Sequence, residues 1–376
     1  MKRVLAVVLL LVGCASASYA EDRFLLEKID VRNLVHASAD VIRAESRLQE
    51  GDSYAEADLR AASDRVRRLP FVLDAVFSLE RGSVRDAYVL VITVSETRPL
   101  FFRYQLVPFF QASQHVSAFD NDILLGARWF AGSRGVFHVA AIAHESDRPF
   151  ESSYISGQGG YTRYGLFHDR AFATVTLDHF SPRETHGRGG TFPGGLMGVW
   201  LTQNQTLTVS YHGVDSGSNG RTERIFEPRL AYNTTNHPEF PSEGSLLSIA
   251  PILAWIDYLD PTKAAVHDFD VALEGHAARY WTVAEGLTAA AILDGGVLHI
   301  EEKGAGHHKV NPGYGTAALQ LSKAIGDERR IELTLQGVTR HRQVVPLLPD
   351  SSTQASIAWV RRNAWGTLRL GAGYAW

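Results

Sequence analysis

The stretch that decides the fold is the last one, "TLRLGAGYAW", Thr367 to Trp376. Apolar side chains occupy every second position, and small or polar residues lie between them. Because successive residues of a strand point to opposite faces, this pattern predicts a β-strand with one apolar and one polar side. The apolar positions are Leu368, Leu370, Ala372, Tyr374 and Trp376.

The other end of the chain indicates export. Residues 1–20, "MKRVLAVVLLLVGCASASYA", combine a basic start, an apolar run and a small-residue exit at Ala20, which is typical of a secretory signal peptide. The single cysteine, Cys14, lies in this segment, so cleavage after Ala20 would leave a chain without disulfides. The alternative is a lipoprotein processing site at Cys14.

Composition limits the possible partners. The 376 residues carry 37 Lys+Arg against 41 Asp+Glu, a formal net charge of -4. A nearly neutral chain offers no electrostatic case for binding nucleic acid. After the signal segment, no apolar run approaches the roughly 18 residues that a membrane-spanning helix needs. A membrane crossing would therefore require a closed β-barrel.

From about Pro99 onward the two-residue alternation returns repeatedly, as in Val175–Leu177, Leu207–Tyr211 and Ile331–Leu335. Such alternation also occurs in soluble sandwiches, but an exported chain with many such segments favours a membrane barrel. Bacterial single-chain barrels have even strand numbers, so we predict an antiparallel transmembrane β-barrel of about 14–16 strands in residues 100–376. Fifteen candidate strands can be counted, an odd number, so one segment is expected to be split or merged. The candidates start near Leu100, Asn121, Val136, Phe150, Ala171, Thr191, Thr206, Arg224, Gly244, His267, Gly286, Gly313, Arg330, Thr353 and Gly366. Tight hairpins are expected in "LTQNQTLT" and "RRNAWGTLR". The tryptophans suit interfacial girdles or a core.

Residues 21–99 predict a compact α+β domain with the order βααββ. A first strand is expected in "FLLEKIDVRNLV", followed by a helix after Ser38 that ends at Gly51. Ser53 and Glu56 have the spacing of a capping box, which predicts a second helix that Pro70 closes. Two strands, "VLDAVFSLERG" and "DAYVLVITVSE", complete the domain.

That order, with Gly51 and Asp52 between the helices, "RVRRLPFVLDAVFSLERG" and the terminal "VLVITVSE", resembles a POTRA domain. POTRA domains are periplasmic modules of the BamA/TamA-like outer-membrane superfamily. The resemblance implies that the domain binds extended clients or partner proteins by adding a strand to a sheet edge. The alternative is a small domain that merely packs against its neighbour, since element order does not define function.

Two further stretches resemble the same superfamily. The terminal strand, with Tyr374 and Trp376 at the matching positions, resembles the β-signal by which outer-membrane barrels are recognised and inserted; an ordinary closing strand is the alternative. Residues 227–251, "EPRLAYNTTNHPEFPSEGSLLSIAP", resemble the turn motif of the surface-antigen barrel. Prolines interrupt strand pairing there and a glycine permits a tight turn, so a hairpin connection is expected. The matching residues are Asn233, Thr235, Asn236, Phe240, Pro241 and Gly244.

The chain also departs from the superfamily. Residues 301–315, "EEKGAGHHKVNPGYG", lack the Arg-Gly-Phe or Arg-Gly-Tyr motif that large assembly factors carry in a lumenal loop. One POTRA-like unit precedes a short barrel, where the large members have several such units. These departures indicate a short, divergent and specialised relative.

Fifteen histidines raise the question of catalysis or metal binding. His307 and His308 lack a spaced third ligand. The pairs Asp178–His179 and His267–Asp268 are sequence neighbours, which point to opposite faces of a strand, and no nucleophile motif accompanies them. We therefore expect no catalytic, cofactor-binding or metal site, and the protein is not expected to be an enzyme.

The sequence predicts an outer-membrane protein of Gram-negative type with its first domain in the periplasm. The resemblance implies insertion or translocation of a limited set of protein clients, which would use a seam between residues 101–105 and 368–376. The expected partners are outer-membrane lipid, protein clients and periplasmic proteins, without nucleic acid. The alternatives are a passive or selective pore, and a structural or lipid-homeostasis protein of the outer membrane.

Overall fold

The computed structural model describes residues 22–111, 117–146, 154–182, 190–215, 221–237, 240–258, 266–302, 308–310, 313–341 and 351–375. The predicted signal segment 1–20, with Cys14, lies outside these residues, as does Trp376. The described chain forms a small α+β domain and a β-barrel that begins at Leu100.

The small domain is a four-stranded sheet with the order β2-β1-β4-β3, and two helices pack on it. β1 pairs with β4 in parallel, and the other two pairs are antiparallel. Apolar side chains of both helices and the sheet form its core, including Leu26, Ile42, Leu59, Val66 and Ile92. The elements are β1 Arg23–Arg32, α1 Ala39–Ser46, β2 Ser53–Ala55, α2 Glu56–Arg67, β3 Val72–Arg81 and β4 Ala87–Glu96.

The predicted order βααββ lacks the short β2, which lies between the two helices. The predicted boundary of α1 at Gly51 is wrong, because Arg47 adopts a left-handed conformation and ends the helix after Ser46. The predicted capping box is also wrong, since Ser53 belongs to β2. Instead, the carboxylate of Asp58 accepts a hydrogen bond from the backbone N of Ala55 at 3.1 Å. α1 begins after Ser38 as predicted, and the Ser38 hydroxyl caps it by accepting a hydrogen bond from the backbone N of Asp40 at 3.2 Å.

Among the described residues the barrel contains fifteen strands that close on themselves, and fourteen of the predicted starts lie within a few residues of an observed one. The remaining predicted start, Phe150, lies outside the described residues. A sixteenth short strand, β16, pairs only with β15 among the described residues. The strands are β5 Leu100–Gln111, β6 Ser117–Ala131, β7 Gly135–Ser146, β8 Tyr154–Gly165, β9 Ala171–Pro182, β10 Gly190–Trp200, β11 Gln205–Asp215, β12 Arg221–Asn233, β13 Gly244–Tyr258, β14 Val266–Ala284, β15 Leu287–Glu302, β16 His308–Val310, β17 Gly313–Ala324, β18 Arg329–His341, β19 Ser351–Asn363 and β20 Gly366–Ala375.

The closing pair corrects two predictions. β20 pairs with β5 in parallel, from Gly366 opposite Phe102 to Ala375 opposite Gln111. All other neighbouring barrel strands are antiparallel, so the predicted fully antiparallel barrel is wrong at its seam. The expected even number of strands is also wrong, because the barrel has fifteen, and this odd number explains the parallel closing pair. When an odd number of strands is joined by hairpins, the first and last run in the same direction.

The predicted alternation is confirmed in three dimensions. Val175, Leu177, Leu333 and Leu335 are exposed on the outer surface, while Glu332, the residue before Leu333, is buried. On β20, Leu370 and Tyr374 are exposed. Several aromatic side chains are also exposed on the barrel: Trp129, Phe137, Trp255, Trp281 and Trp365. The barrel therefore presents an apolar, partly aromatic outer wall, as lipid-facing strands require.

The two ends of the barrel differ in what they contact. The small domain lies at the end where β5 begins, and the connections at that end are short: 132–134, 166–170, 201–204, 285–286, 325–328 and 364–365, with 234–243 as the longer exception. The tight hairpins predicted in "LTQNQTLT" and "RRNAWGTLR" are confirmed there. Because β20 runs parallel to β5, Ala375 lies at the opposite end.

Candidate functional site

A row of aromatic rings joins the small domain to the barrel rim. Phe71, which follows α2, is buried and contacts Phe130 of β6 edge-to-face, with ring centroids 5.0 Å apart. Its ring also lies 6.3 Å from that of Tyr164, and the row continues through Phe172 to Trp200. Trp200 therefore packs at the junction, whereas the sequence left it between a girdle and a core. The domain core and the rim form one continuous apolar cluster.

Arginines fasten the same junction through backbone carbonyls. Arg65 of α2 is buried and donates to the Gln203 carbonyl in the β10–β11 turn at 3.1 Å. Arg47 donates to the Thr202 carbonyl at 2.8 Å, and its guanidinium lies 4.3 Å from the centre of the Trp200 ring. Arg68 donates to the Asn233 carbonyl at 3.2 Å. Three cations of the domain thus satisfy carbonyls at the ends of barrel strands.

Glu45 of α1 is the buried carboxylate beside these cations. Burial raises the pKa of Glu45 to about 7, although Arg47, Arg65 and Arg68 oppose that shift. Burial lowers the pKa of Arg47 to about 9 and that of Arg65 to about 10, so both remain cationic at neutral pH. Glu45 is therefore the group of the junction that titrates near neutrality.

We expect Glu45→Gln to remove a pH dependence of stability. The folded carboxyl keeps its proton up to a pKa of about 7, whereas the unfolded group loses it near 4.5. The stabilisation from that bound proton is complete below pH 4.5 and is lost as the pH rises through 7. As the pH rises from 4.5 to 8, the free energy of unfolding of the native chain should therefore fall by about 3 kcal/mol more than that of Glu45→Gln. Urea titrations in detergent micelles would measure it; a pH-independent difference would contradict the shift.

The turn motif between β12 and β13 is held by its own side chains. Asn233 Oδ1 accepts hydrogen bonds from the backbone N and hydroxyl of Thr235, at 2.9 and 2.8 Å. Asn236 Oδ1 accepts from the backbone N of Ser242 at 3.0 Å. Gly244 has a φ of +105°, and a side chain there would overlap the backbone of Thr234. The hairpin predicted for this motif is confirmed, with Pro241 and Thr235 buried inside it.

The same turn connects the small domain to the barrel interior. Arg362 of β19 donates to the carbonyls of Leu73 and Val72, at 3.3 and 3.2 Å, and its Nη1 lies 2.7 Å from His237 Nε2. Burial beside Arg362 lowers the pKa of His237 to about 4, so the ring is neutral. The His237 ring stacks on Phe240 with centroids 5.8 Å apart. The beginning of β3 is thus linked to the turn motif.

Phe240 continues this chain of contacts into the lumen. The Arg330 guanidinium lies 4.1 Å from the centre of the Phe240 ring. Glu332 is 1% exposed and forms ion pairs with Arg330 and Arg369, both at 2.6 Å. Glu332 therefore joins β18 to the last strand, β20, across the inner face of β19. Sequence reasoning missed this cluster, because its residues are recognisable only once the strand register is known.

The sheet of the small domain has two edge strands, the three-residue β2 and the ten-residue β3, and β3 offers the longer edge. Among the described residues, β3 pairs only with β4, whereas β4 pairs with both β1 and β3. Ser63 of α2 donates to the Ala75 carbonyl at 3.2 Å, so that carbonyl points away from β4. Successive residues of a strand direct their backbone N–H and C=O groups to opposite sides within the sheet. The N–H and C=O groups of Phe77 and Leu79 therefore point to the same open side as those of Ala75.

A groove of about 390 Å³ runs along this edge between β3 and α2. Leu59, Ser63, Arg67, Val76 and Leu79 contribute to its lining. β4 pairs with β1 on one side and with β3 on the other, so it is an inner strand of the sheet. The accessible edge is therefore β3, on the same sheet but one strand further out.

The other predicted site residues take part in backbone pairing at strand edges. Gly51 has a φ of +92°, and its backbone N donates to the Leu26 carbonyl at 2.7 Å. The Asp52 carbonyl accepts from the backbone N of Leu26 at 3.0 Å. Gly51 and Asp52 therefore cover the outer edge of β1, next to β2. Leu368 and Leu370 lie in the closing strand opposite Tyr104 and Leu106 of β5.

Histidine–aspartate pairs occur across strands instead of along them. His144 Nδ1 lies 2.6 Å from Asp122 Oδ1, and His276 Nδ1 lies 2.5 Å from Asp294 Oδ1. His179, considered from its sequence neighbour Asp178, bonds instead to Thr191 at 2.9 Å. In the described part of the chain, no group of three His, Cys, Asp or Glu residues is arranged to hold a metal ion. No helix among the described residues is long and apolar enough to cross a membrane.

The fold and the junction define a closed β-barrel with an apolar outer wall and a small α+β domain docked on one rim. No protein-family model and no curated protein matches the chain. Among solved structures, it is similar to BamA from Haemophilus ducreyi lacking POTRA domains 1-3, with 13% identity, 94% of this chain and 81% of that chain covered, and a TM-score of 0.45.

The chain is also similar to the ferric citrate transporter FecA in its unliganded form. The identity is 8%, the TM-score is 0.36, and the match covers 79% of this chain and 53% of that one, about half of FecA. Similarity at this level does not establish a family or a function.

Proposed function

We propose that the chain is an outer-membrane β-barrel protein with a periplasmic POTRA-like domain, and that it inserts or translocates a limited set of protein clients without enzymatic chemistry. The observation that carries the proposal is the open β3 edge, with its groove, on a domain docked at the barrel rim. An edge strand can bind any extended segment through backbone hydrogen bonds, and side-chain pockets beside it add selectivity.

The membrane location is supported by the distribution of side chains. The outer wall is apolar and partly aromatic, and polar or charged side chains such as Glu332 and Asp270 are buried in the barrel. Short turns at the domain end fit the periplasmic side of such barrels. Under this proposal the terminal strand serves as the insertion signal, and the seam between β5 and β20 is the route for clients.

The proposed client edge can be tested by photo-crosslinking in cells. A photoreactive residue at Val76, which is 53% exposed on β3, should crosslink to unfolded or extended outer-membrane proteins. The same residue at Arg85, in the exposed β3–β4 turn, is the control and should give none of these products. Crosslinks of equal yield at both positions, or at neither, would count against edge binding.

Comparison of the outer-membrane proteome with and without the chain tests the function itself. Selective loss of one or a few outer-membrane or secreted proteins, with unchanged transcripts, is expected. An unchanged proteome would contradict the insertion or translocation proposal. In that case, ion conductance of the purified protein in planar bilayers would test the pore alternative.

A further inference from the structure

A cavity of about 650 Å³ lies where the small domain meets two turns of the barrel rim. The end of α1 and the segment 47–54 form one wall, and the turns 166–170 and 201–204 form the other. Its volume is within the range of about 300–1,000 Å³ that is typical of small-ligand sites. The cavity is separate from the β3 groove, which lies along α2.

Positive charge exceeds negative charge in the lining of this cavity. Arg43, Arg47 and Arg170 face two carboxylates, Asp52 and Asp169. Asp169 is paired with a further cation, Arg134, at 2.5 Å. Arg43 has a distant acidic neighbour in Asp40, at 3.7 Å, so its charge is only partly balanced. The side chain of Arg170 has no hydrogen bond or ion pair with the described residues. The cavity therefore favours an anion.

Three polar atoms of the lining residues are buried without a hydrogen-bond partner among the described residues. They are Nε of Arg43, Nε of Arg47 and Oε1 of Gln203. Buried polar atoms in proteins nearly always have partners, and a ligand in the cavity would reach these three atoms after a small shift of their side chains. Two of them are donors, which suit the oxygens of a phosphate. The third is an acceptor, which suits a hydroxyl group.

Exposed apolar side chains occur in the two turns that form the rim side of the cavity: Leu201 lines it, and Phe167 comes just before the lining residue His168. Phe167 is 70% exposed and Leu201 is 53% exposed, and each lies in one of the two turns. Their turns continue directly into the apolar barrel wall, in which Val175 and Met197 are exposed on β9 and β10. Arginines next to exposed apolar side chains at the end of a membrane barrel match the boundary between lipid head groups and acyl chains.

We propose that this cavity binds the head group of an anionic phospholipid of the phosphatidylglycerol type. Arg43, Arg47 and Arg170 would donate to the phosphodiester oxygens, and a head-group hydroxyl would donate to Gln203 Oε1. The acyl chains would lie along Phe167 and Leu201. The inference rests on the proposed membrane location. A lipid bound in this cavity would contact both the small domain and the barrel.

The test uses the full chain purified in detergent, with native mass spectrometry to count and titrate bound lipid. The native protein should retain one phosphatidylglycerol and bind phosphatidylcholine at least about tenfold more weakly, because choline offers no hydroxyl donor. Arg43→Gln/Arg170→Gln should weaken phosphatidylglycerol binding at least about tenfold, since hydrogen bonds to charged groups are strong. Arg85→Gln, in a remote exposed turn, is the matched control and should bind as the native chain does.

Equal binding of the two lipids, or native affinity in the double variant, would overturn the proposal. Arg170→Gln alone provides the test if the double variant does not fold, since this side chain makes no hydrogen bond or ion pair with the described residues; several-fold weaker binding is expected. If inorganic phosphate displaces the lipid at equal affinity, the site takes free phosphate and the lipid assignment is wrong. Insertion of each variant into vesicles is measured in parallel, so that failure of the membrane proposal is distinguishable from failure of the lipid site.

Discussion

Replacement of Glu332 by alanine is expected to lower the free energy of unfolding of the barrel by about 3–5 kcal/mol. The carboxylate is 1% exposed and lies 2.6 Å from both Arg330 and Arg369. Its removal leaves two cations inside the barrel without this shared partner, and a buried unpaired charge is costly. The last strand should loosen first, because Arg369 belongs to β20.

Unfolding in urea, followed by the shift of the folded barrel on gels without heating, would measure the effect. Glu328→Ala is the matched control. Glu328 pairs with Arg361 at 3.3 Å, but both side chains are largely exposed at the rim. Loss of such a surface pair typically costs less than about 1 kcal/mol. Equal stability of the two variants would show that the lumenal cluster does not brace the barrel.

Gly366→Val is expected to open the parallel seam at the domain end. Gly366 has a φ of +149°, and a side chain there would overlap the backbone carbonyl of Phe102 in β5. That conformation is nearly restricted to glycine, and the clash is with backbone that cannot rotate away. Strain and lost seam hydrogen bonds together should cost about 2–5 kcal/mol.

Seam closure can be measured with a cysteine pair, Leu368→Cys with Tyr104→Cys, since these residues are register partners. Neighbouring strands lie about 4.8 Å apart, which is within disulfide reach. The pair should oxidise readily in the native background and poorly with Gly366→Val. Gly337→Val on β18 is the control, because a side chain at Gly337 meets no atom within 4 Å. The same oxidation yield in both variants would argue against a required glycine at the seam.

Local patterns in the sequence were sufficient to predict most of the elements. Two-residue alternation, as in Ile331 to Leu335, helped to locate the barrel strands among the described residues, because one lipid-facing side demands an apolar residue at every second position. Ser38 identified the start of α1 through its side-chain oxygen. The boundary of α1 at Gly51 failed because Arg47 leaves the helix to reach Trp200 and Thr202, and this tertiary contact overrides local propensity.

The sequence by itself therefore determined the strands, their inward and outward faces and the tight turns, since each depends on residues close together in the chain. Only the tertiary structure decided the parallel closure of β20 on β5, the docking of Phe71 on the rim and the joining of Glu332 to Arg369. These features depend on the number of strands and their register, which place residues far apart in the chain side by side. No local pattern encodes such distances, because a contact between remote residues forms only when the whole barrel has closed.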